Sequence, residues 1–264
     1  VADVVARRVA RDAAKGVPAA LLLEGEVDRK LVKQTVMTSV YGVTFVGARG
    51  QVMDRLRERG FVAAHGGQNS RAVFDAANYA ARVTFDGLKQ LFGGARAIQG
   101  WLASFAAAVA ASGAPVGWTT PLGLPVIQPY RRARDHHVRT VMQRLILASS
   151  DPASPVAVNR QRAAFPPNFI HALDSTHMMQ TASAAAQAGL VFAGVHDSFW
   201  THAGSVGALS GILRDQFVAL HSRPLLADLA AELAAAHPGV ALPPLPGTGD
   251  LDLEQVRASP YFFS

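Results

Sequence analysis

Four side chains that could do chemistry recur at intervals of four in the segment RKLVKQTVMTSVYG (29–42): Arg29, Lys33, Met37 and Tyr41. Residues four apart lie on one slowly turning face of an α-helix. Tyr41 would lie about 18 Å from Arg29 along such a helix. The face therefore fits a ligand with phosphates at one end and a flat ring at the other, such as a nucleoside triphosphate. A solvated amphipathic helix is the alternative.

The same segment carries a general acid candidate and helix-boundary signals. Lys33 could neutralise a phosphate or protonate a leaving group, and Arg29, one turn earlier, could hold the same polyphosphate. Asp28 is placed as an N-cap and Gly42 as a stop signal. These residues predict a helix over about 28–42.

A carboxylate stands in a second segment, VHDSFW (195–200), whose pattern predicts a strand, a tight turn and a strand. Asp197 at the tip of such a hairpin would project from the sheet. That position suits a metal ligand, because Mg²⁺ binds through one or two carboxylates together with substrate phosphates. An aspartate that caps its own backbone in a turn is the alternative.

The pattern of the surrounding sequence predicts mainly helices in the first half, where amphipathic segments end on glycine. Residues 117–130 predict strands and turns. We expect 131–167 to be basic and irregular, and a helix to begin at Asn168. A final helix is predicted over about 206–221. The predicted fold class is α/β in the broad sense, mostly helical with α+β organisation.

A resemblance to a known family rests on three segments in this order: RKLVKQTVMTSVYG, FPPNFIHALDSTHMM and VHDSFWTHA. Together they strongly resemble the single-subunit, T7-like DNA-directed RNA polymerases of mitochondria, chloroplasts and phages. The resemblance extends to ARAIQGWL, TPLGLPVIQPY, DLEQV and the terminal YFFS, which is most similar to the mitochondrial branch. It implies a C-terminal fragment of a right-hand polymerase fold. Residues 1–170 would be fingers, and 171–264 the second palm segment with its motif C β-hairpin and C-terminal foot.

By this resemblance, the helix over 28–42 is motif B of the fingers, which closes over the incoming nucleotide. The implied catalytic residues there are Lys33, as general acid toward pyrophosphate, and Tyr41, which takes part in ribose selection. The resemblance implies nucleotide binding by a larger set: Arg29, Lys33, Met37, Tyr41, Gly42 and His171.

The resemblance also assigns motif C. It makes Asp197 a catalytic residue and the ligand of two Mg²⁺ ions, supported by His196 and Ser198. His171 matches a histidine that senses the ribose 2′-hydroxyl. The stretch 131–164 lies where the family has its specificity hairpin. The implied reaction is template-dependent transfer of ribonucleoside monophosphates to an RNA 3′ end.

Two residues favour RNA over DNA synthesis. Related DNA polymerases have an aromatic residue where this chain has Met37, and an acidic residue where it has Ser198. The implied partners are a DNA template, nascent RNA, ribonucleoside triphosphates and organellar transcription factors. The implied compartment is the mitochondrion, with the chloroplast as alternative and any targeting segment expected upstream.

In the family a second aspartate, in motif A upstream of motif B, completes the site for the two Mg²⁺ ions. No aspartate before residue 29 lies in a sequence that resembles motif A. We therefore expect the isolated chain to be inactive. Three hypotheses stay open: the fingers and second palm segment of a working polymerase, including a separate piece of a split one; a non-catalytic nucleic-acid-binding relative; and an unrelated basic scaffold.

Composition limits the alternatives. The 264 residues are 50% hydrophobic, so the chain can bury a core, and the formal net charge of +6 fits a polyanionic partner. The chain has no cysteine, which excludes disulfides and thiol catalysis. The sequence contains no apolar run of the roughly 20 residues that a membrane-spanning helix needs.

Overall fold

The structure is a computed structural model that describes residues 1–39, 42–66, 70–132, 134–140, 142–149, 153–195 and 198–262. Within these ranges the chain is mostly helical and carries three two-stranded antiparallel sheets. The predicted mostly helical α+β organisation is confirmed. None of the helices in these ranges combines the length and apolarity that crossing a bilayer requires.

The first half of the chain is helical. Its elements are α1 (Ala2–Ala13), α2 (Pro18–Leu23), α3 (Arg29–Ser39), α4 (Phe45–Glu58), α5 (Phe61–Ala64), α6 (Arg71–Leu91) and α7 (Gly93–Ala111). The second half mixes hairpins and helices. Its elements are β1 (Gly117–Thr119), β2 (Pro125–Ile127), β3 (Arg134–Arg139), β4 (Arg144–Ser149), α8 (Val158–Gln187), β5 (Ala193–Val195), β6 (Ser198–Trp200), a 3₁₀ turn (Ala203–Ser205), α9 (Val206–His221), α10 (Leu225–Ala236) and α11 (Gln255–Ala258).

Contacts divide the chain into two compact units, Val1–Gly100 and Trp101–Ser264. The predicted boundary between fingers and palm at residue 170 concerns functional subdomains and stays a prediction. Helices of the first unit share one apolar core, in which Leu31 and Leu56 are buried. Burial of each such leucine side chain contributes about 1.5–3 kcal/mol to the stability of the fold.

α1 packs on α6 through apolar contacts at Gly87 and through one polar cluster. A Cβ on Gly87 would lie 3.5 Å from Val4 Cγ1, an ordinary van der Waals contact. Asp12 accepts hydrogen bonds of 2.8 Å from Arg8 Nε and from Tyr79 Oη. The bond from Arg8, followed by that from Tyr79, lowers the pKa of Asp12, and burial raises the pKa of Tyr79 to about 12.

The three sheets of the second unit are hairpins. β1 pairs with β2, β3 with β4 and β5 with β6, all antiparallel. The strands and turn expected over 117–130 are confirmed, with Gly123 in the left-handed region at φ +87°. The strands β5 and β6 flank the turn predicted in VHDSFW, whose residues 196 and 197 lie outside the described part.

Helix α8 begins ten residues before the predicted start at Asn168, and β3 and β4 form a regular antiparallel hairpin. The expectation of an irregular stretch over 131–167 is therefore wrong for these two strands and for its last part. The helix runs from Val158 through Pro166 and Pro167, although proline lacks the N–H that an interior position uses. Burial compensates for the lost bonds, because Gln161 and Phe165 are fully buried in these first turns. Tertiary packing overrides the local break.

The C-terminal part of the second unit is fastened to α9 by a tail clamp, which we define as Arg214 and its main-chain partners. Arg214 Nη1 donates to the carbonyl oxygens of Val256 at 2.6 Å, Ser259 at 2.7 Å and Arg257 at 3.4 Å. The guanidinium also lies 5.4 Å from the ring centroid of Phe262. Phe262 packs against the small apolar cluster that includes Leu209 and Leu213 of α9.

Candidate functional site

One face of α3 is exposed and carries the residues predicted to bind a nucleotide. Arg29, Lys33 and Met37 are exposed, Met37 to 55%. On the opposite side Leu31 and Thr35 are buried. The rise of an α-helix separates Arg29 from Met37 by about 12 Å along the axis. Three of the four residues of the predicted face therefore lie as expected, with two cations and the thioether on one side of a helix whose other side packs in the core.

The boundaries of α3 follow the predicted signals. Asp28 Oδ1 accepts a 2.8 Å hydrogen bond from the Leu31 N–H, which is an N-cap. Gly42 has φ +74° and its N–H donates to Ser39 O at 3.2 Å, which satisfies a carbonyl at the helix end. Tyr41 lies between them, outside the described residues, so its role stays a prediction.

A row of polar side chains along α4 and its C-cap, which the sequence did not reveal, holds the side of α3 that faces away from the exposed cations. This α4 polar row is Gln51 and Arg55 of α4, and Arg59, the C-cap residue. Gln51 Oε1 accepts from Thr38 Oγ1 at 3.1 Å and from Thr35 Oγ1 at 3.4 Å. The four-residue spacing of the row was visible in the sequence, but its partners were not.

The outer members of the α4 polar row hold the first half of α3. Arg55 Nη2 donates to Gln34 Oε1 at 3.2 Å. Arg59 pairs with Asp28 and also donates to Glu26 O at 3.0 Å. The bond from Arg59 lowers the pKa of Asp28 below its ordinary value, although burial opposes that effect. The row therefore fixes α3 along its length.

The electrostatics of the exposed face favour an anion. Within the described ranges, Arg29, Lys30 and Lys33 form no ion pair with an acidic side chain. The N-terminus of α3 itself is capped by the Asp28 carboxylate, so the attraction comes from the three cations. Exposed cations that lack protein counter-charges suit a phosphate-bearing ligand.

Motif C is only partly described. His196 and Asp197 lie outside the described residues, and Ser198 is the first residue of β6, where it is exposed. Among the described side chains, no three His, Cys, Asp or Glu converge closely enough to hold a metal ion. The described residues therefore do not by themselves form a magnesium site.

The β5–β6 hairpin is backed by rings from α8 and α9. Phe199 of β6 has its ring centroid 5.5 Å from Phe192 and 6.4 Å from His177. His177 lies 2.9 Å from Leu213 O through Nε2 and packs edge-on against Phe217 at 5.7 Å. The residues following Asp197 are thus anchored in a packed aromatic cluster.

A second histidine, His221, lies one helical turn after Phe217 on α9 and belongs to the same region. His221 packs on Phe217, with ring centroids 4.3 Å apart. Burial, followed by repulsion from His177, lowers the pKa of His221. Protonation of His221 would therefore disturb the packing behind the hairpin.

His171 lies on α8 beside a pocket of about 260 Å³ in the second unit. The side chain of His171 is 57% exposed, and its Nδ1 lies 3.9 Å from Asp174 Oδ2. β2 and its following residues form one wall, and α8 forms the other. Polar lining comes from Gln128, Asn168 and Ser175 in addition to His171.

Comparison with protein families gives one match over most of the chain. Residues 1–242 match the family described as DNA-dependent RNA polymerase. The matched range includes α3, the β5–β6 hairpin and α8, and therefore every residue predicted to have a role in catalysis or binding.

Similar proteins occur in tobacco species. The chain is 49% identical over its whole length to DNA-directed RNA polymerase 1, mitochondrial, of Nicotiana sylvestris, of which it spans 26%. It is 50% identical over its whole length to DNA-directed RNA polymerase 2A of Nicotiana tabacum, of which it spans 78%. Over 93% of its length it is 52% identical to DNA-directed RNA polymerase 3, chloroplastic, of Nicotiana sylvestris, of which it spans 24%.

Proposed function

The chain belongs to the DNA-dependent RNA polymerase family, and from this membership we propose that it supplies the fingers and second palm segment of a single-subunit RNA polymerase. The family resemblance inferred from the motifs is confirmed. The proposed reaction is nucleotidyl transfer in transcription: a ribonucleoside monophosphate is added to an RNA 3′ end under the direction of a DNA template.

The observation that carries this proposal is the exposed face of α3. Arg29 and Lys33 present two cations without acidic partners among the described residues, on a helix that the α4 polar row fixes from behind. Such a face can hold a triphosphate without a large rearrangement of the helix. In phosphoryl transfer the protein contributes mainly placement and charge.

The individual roles follow the order along α3. Arg29 and Lys33 bind the triphosphate, and Lys33 donates a proton to the leaving pyrophosphate oxygen. Met37, Tyr41 and Gly42 adjoin the sugar and base, and the unbranched Met37 side chain leaves room for a 2′-hydroxyl. His171 and Ser198 belong to the second unit, where His171 contacts a ribose and Ser198 supports motif C together with His196.

Two magnesium ions are part of the proposal, with Asp197 as their ligand. When bound, such ions stabilise the attacking and leaving oxygens. The proposed partners are template DNA, nascent RNA, ribonucleoside triphosphates and organellar transcription factors, and the proposed compartment is the mitochondrion or the chloroplast.

The experiment that tests the proposal uses a graft, in which this chain replaces the matching segment of the Nicotiana sylvestris mitochondrial polymerase. We expect the graft to extend an RNA primer on a DNA template when magnesium is present, and the isolated chain not to do so. Primer extension with a labelled primer measures both.

Two outcomes would contradict these expectations. A graft that folds and binds template but adds no nucleotide, while the unmodified relative does, would favour the non-catalytic binding relative. Metal-dependent incorporation by the isolated chain would overturn the expectation that it is inactive alone.

A further inference from the structure

We propose that Asn168 is a specificity-determining residue, whose side-chain oxygen accepts a hydrogen bond from a ribose hydroxyl in the pocket beside His171. The inference rests on the proposed function, because that function supplies the ribose. Its structural basis is an amide network, which we define as Gln161, Gln128 and Asn168. The network determines which end of the Asn168 amide remains available for a ligand.

The network starts from backbone groups that cannot be reversed. Gln161 is fully buried, and its Nε2 lies 3.0 Å from Gln128 O and 3.2 Å from Tyr130 O. Both partners are carbonyl oxygens, so this end of Gln161 must be the NH₂ group. Its other end, Oε1, lies 3.3 Å from the Val116 N–H, which requires an acceptor. The orientation of Gln161 is therefore determined by the main chain.

Gln161 in turn determines the orientation of Gln128, which is 1% exposed. Gln128 Nε2 lies 2.7 Å from Gln161 Oε1 and 3.2 Å from Gln161 O. Because both of these atoms are acceptors, Gln128 must present its NH₂ group to them. Its Oε1 consequently points away from Gln161 as an acceptor.

Asn168 receives the last orientation in the series. Its Nδ2 donates to Gln128 Oε1 at 2.9 Å and to Tyr130 Oη at 3.4 Å. Side-chain amides are often ambiguous by a flip, but here a flip would set the Asn168 oxygen against the Gln128 oxygen. In the described part of the chain, Asn168 Oδ1 accepts no hydrogen bond. It is the available atom.

The position of Asn168 makes that oxygen useful. Asn168 lines the 260 Å³ pocket together with His171, less than one helical turn farther along α8. Trp118 and Ile127 supply apolar walls. A carbonyl oxygen can only accept a hydrogen bond, so the pocket takes a ligand with a donor beside an apolar surface. A sugar hydroxyl has both properties.

The ribose hydroxyl has two possible sources in a polymerase: the incoming nucleoside triphosphate and the last nucleotide of the RNA. The test therefore measures kcat/KM for NTP and for the matching dNTP, each on primers whose last nucleotide is either a ribonucleotide or a 2′-deoxyribonucleotide. The enzymes are the graft and its Asn168→Ala variant. Asn159→Ala, which removes an exposed asparagine of the same helix, is the matched control.

We expect Asn168→Ala to lower the preference for the ribose form by about three- to tenfold, the worth of one hydrogen bond. Turnover of the deoxy form should stay within about twofold of the parent, because no hydroxyl is lost there. A loss confined to the NTP/dNTP ratio identifies the incoming nucleotide, and a loss confined to the primer-end ratio identifies the RNA terminus. Asn159→Ala should change neither ratio.

Equal losses in all four combinations would overturn the inference, because they would indicate a merely structural role, and so would no loss at all. If the graft adds no nucleotide, the proposed function fails separately. The inference is then tested by fluorescence anisotropy, as the Kd for an RNA–DNA hybrid against that for a DNA duplex. Asn168→Ala should weaken hybrid binding only, and equal weakening of both would overturn the inference.

Discussion

The exposed face of α3 and the pocket beside α8 are both positioned by polar side chains, but of different kinds. Behind α3, the α4 polar row combines an amide with two arginines, and its members are partly exposed. Behind the pocket, the amide network is neutral, and Gln128 and Gln161 are almost inaccessible to solvent. The α4 polar row positions a helix that carries cations, and the amide network orients a single hydrogen-bond acceptor, Asn168 Oδ1.

The difference fits what each region is proposed to recognise. A phosphate is attracted over several ångströms, so a cationic face tolerates small displacements and works at the surface. A hydrogen bond weakens steeply with distance and angle. A site that reads a hydroxyl therefore needs a rigid, dry frame, and buried amides with determined orientations provide one. Four measurements test whether the two regions differ in this way.

The largest expected effect is on the charged face. In the graft, Lys33→Ala should lower the rate of nucleotide addition by about 10²- to 10⁴-fold, because it removes the proposed proton donor to pyrophosphate. Lys30→Ala removes the same charge from the same helix and should lower the rate by less than about tenfold. Single-turnover extension measures both. Equal losses would mean that α3 acts through its charge alone.

The second effect compares a glutamine-to-methionine substitution in the amide network with the same substitution in the α4 polar row. Gln161→Met should lower the free energy of unfolding by about 3 kcal/mol, because it leaves the Val116 N–H and the Gln128 carbonyl without partners in a buried place. The Tyr130 carbonyl keeps its bond from the Ala157 N–H.

Gln51→Met should cost only about 1 kcal/mol, since Thr38 keeps its bond to the Gln34 carbonyl and only the long 3.4 Å bond from Thr35 is lost without replacement. Urea unfolding of each variant gives the values, and similar costs would remove the distinction.

The third effect separates the units by pH. Burial lowers the pKa of His221, so the folded second unit binds fewer protons than the unfolded chain and loses stability as pH falls below about 6.5. In the first unit the lowered pKa of Asp12 predicts a loss only as pH falls below about 3.8. Between these values we expect only the second unit to weaken.

Tryptophan fluorescence reports this difference, because Trp101, Trp118 and Trp200 all lie in the second unit. The midpoint of thermal unfolding followed by fluorescence, which reports the second unit, should fall between pH 6.5 and 4. The midpoint of the first unit, followed as the part of the circular dichroism change that does not coincide with the fluorescence change, should stay constant. His221→Gln should abolish the shift. A shift that persists in that variant would exclude His221 as its source.

The smallest effect concerns the ion pair behind α3. Asp28→Asn keeps an N-cap oxygen and removes only the charge that pairs with Arg59, so we expect a loss of no more than about 0.5 kcal/mol that vanishes at high salt. Asp28→Ala also removes the cap and should cost about 1 kcal/mol. Urea unfolding at low and high sodium chloride distinguishes them. A salt-independent loss in Asp28→Asn would contradict a surface ion pair.

Local signals predicted the charged region well. Asp28 and Gly42 bound α3 as the sequence indicated, and the four-residue spacing of Arg29, Lys33 and Met37 predicted an exposed face. The predicted functions of these residues are consistent with the family but are not tested by the geometry. The roles of Tyr41, His196 and Asp197 likewise stay predictions.

The amide network could not be predicted, because its partners are far apart in sequence. Gln128 and Gln161 are separated by 33 residues, and Gln128 and Asn168 by 40. A glutamine in a basic, proline-containing stretch carries no local sign that it will be buried. The early start of α8 was missed for the same reason, since contacts made elsewhere stabilise a helix that Pro166 and Pro167 would otherwise interrupt.

The tail clamp has a consequence for how this part of the chain can vary. Arg214 bonds to the main-chain carbonyls of Val256, Arg257 and Ser259 and not to their side chains. In a mutational scan, Arg214 itself should be intolerant, Val256 and Ser259 should accept many residue types, and a one-residue deletion between them should be rejected. Selection would thus conserve the length of this segment more strictly than the identity of its residues. A comparison by residue identity alone would underestimate how strongly the segment is constrained.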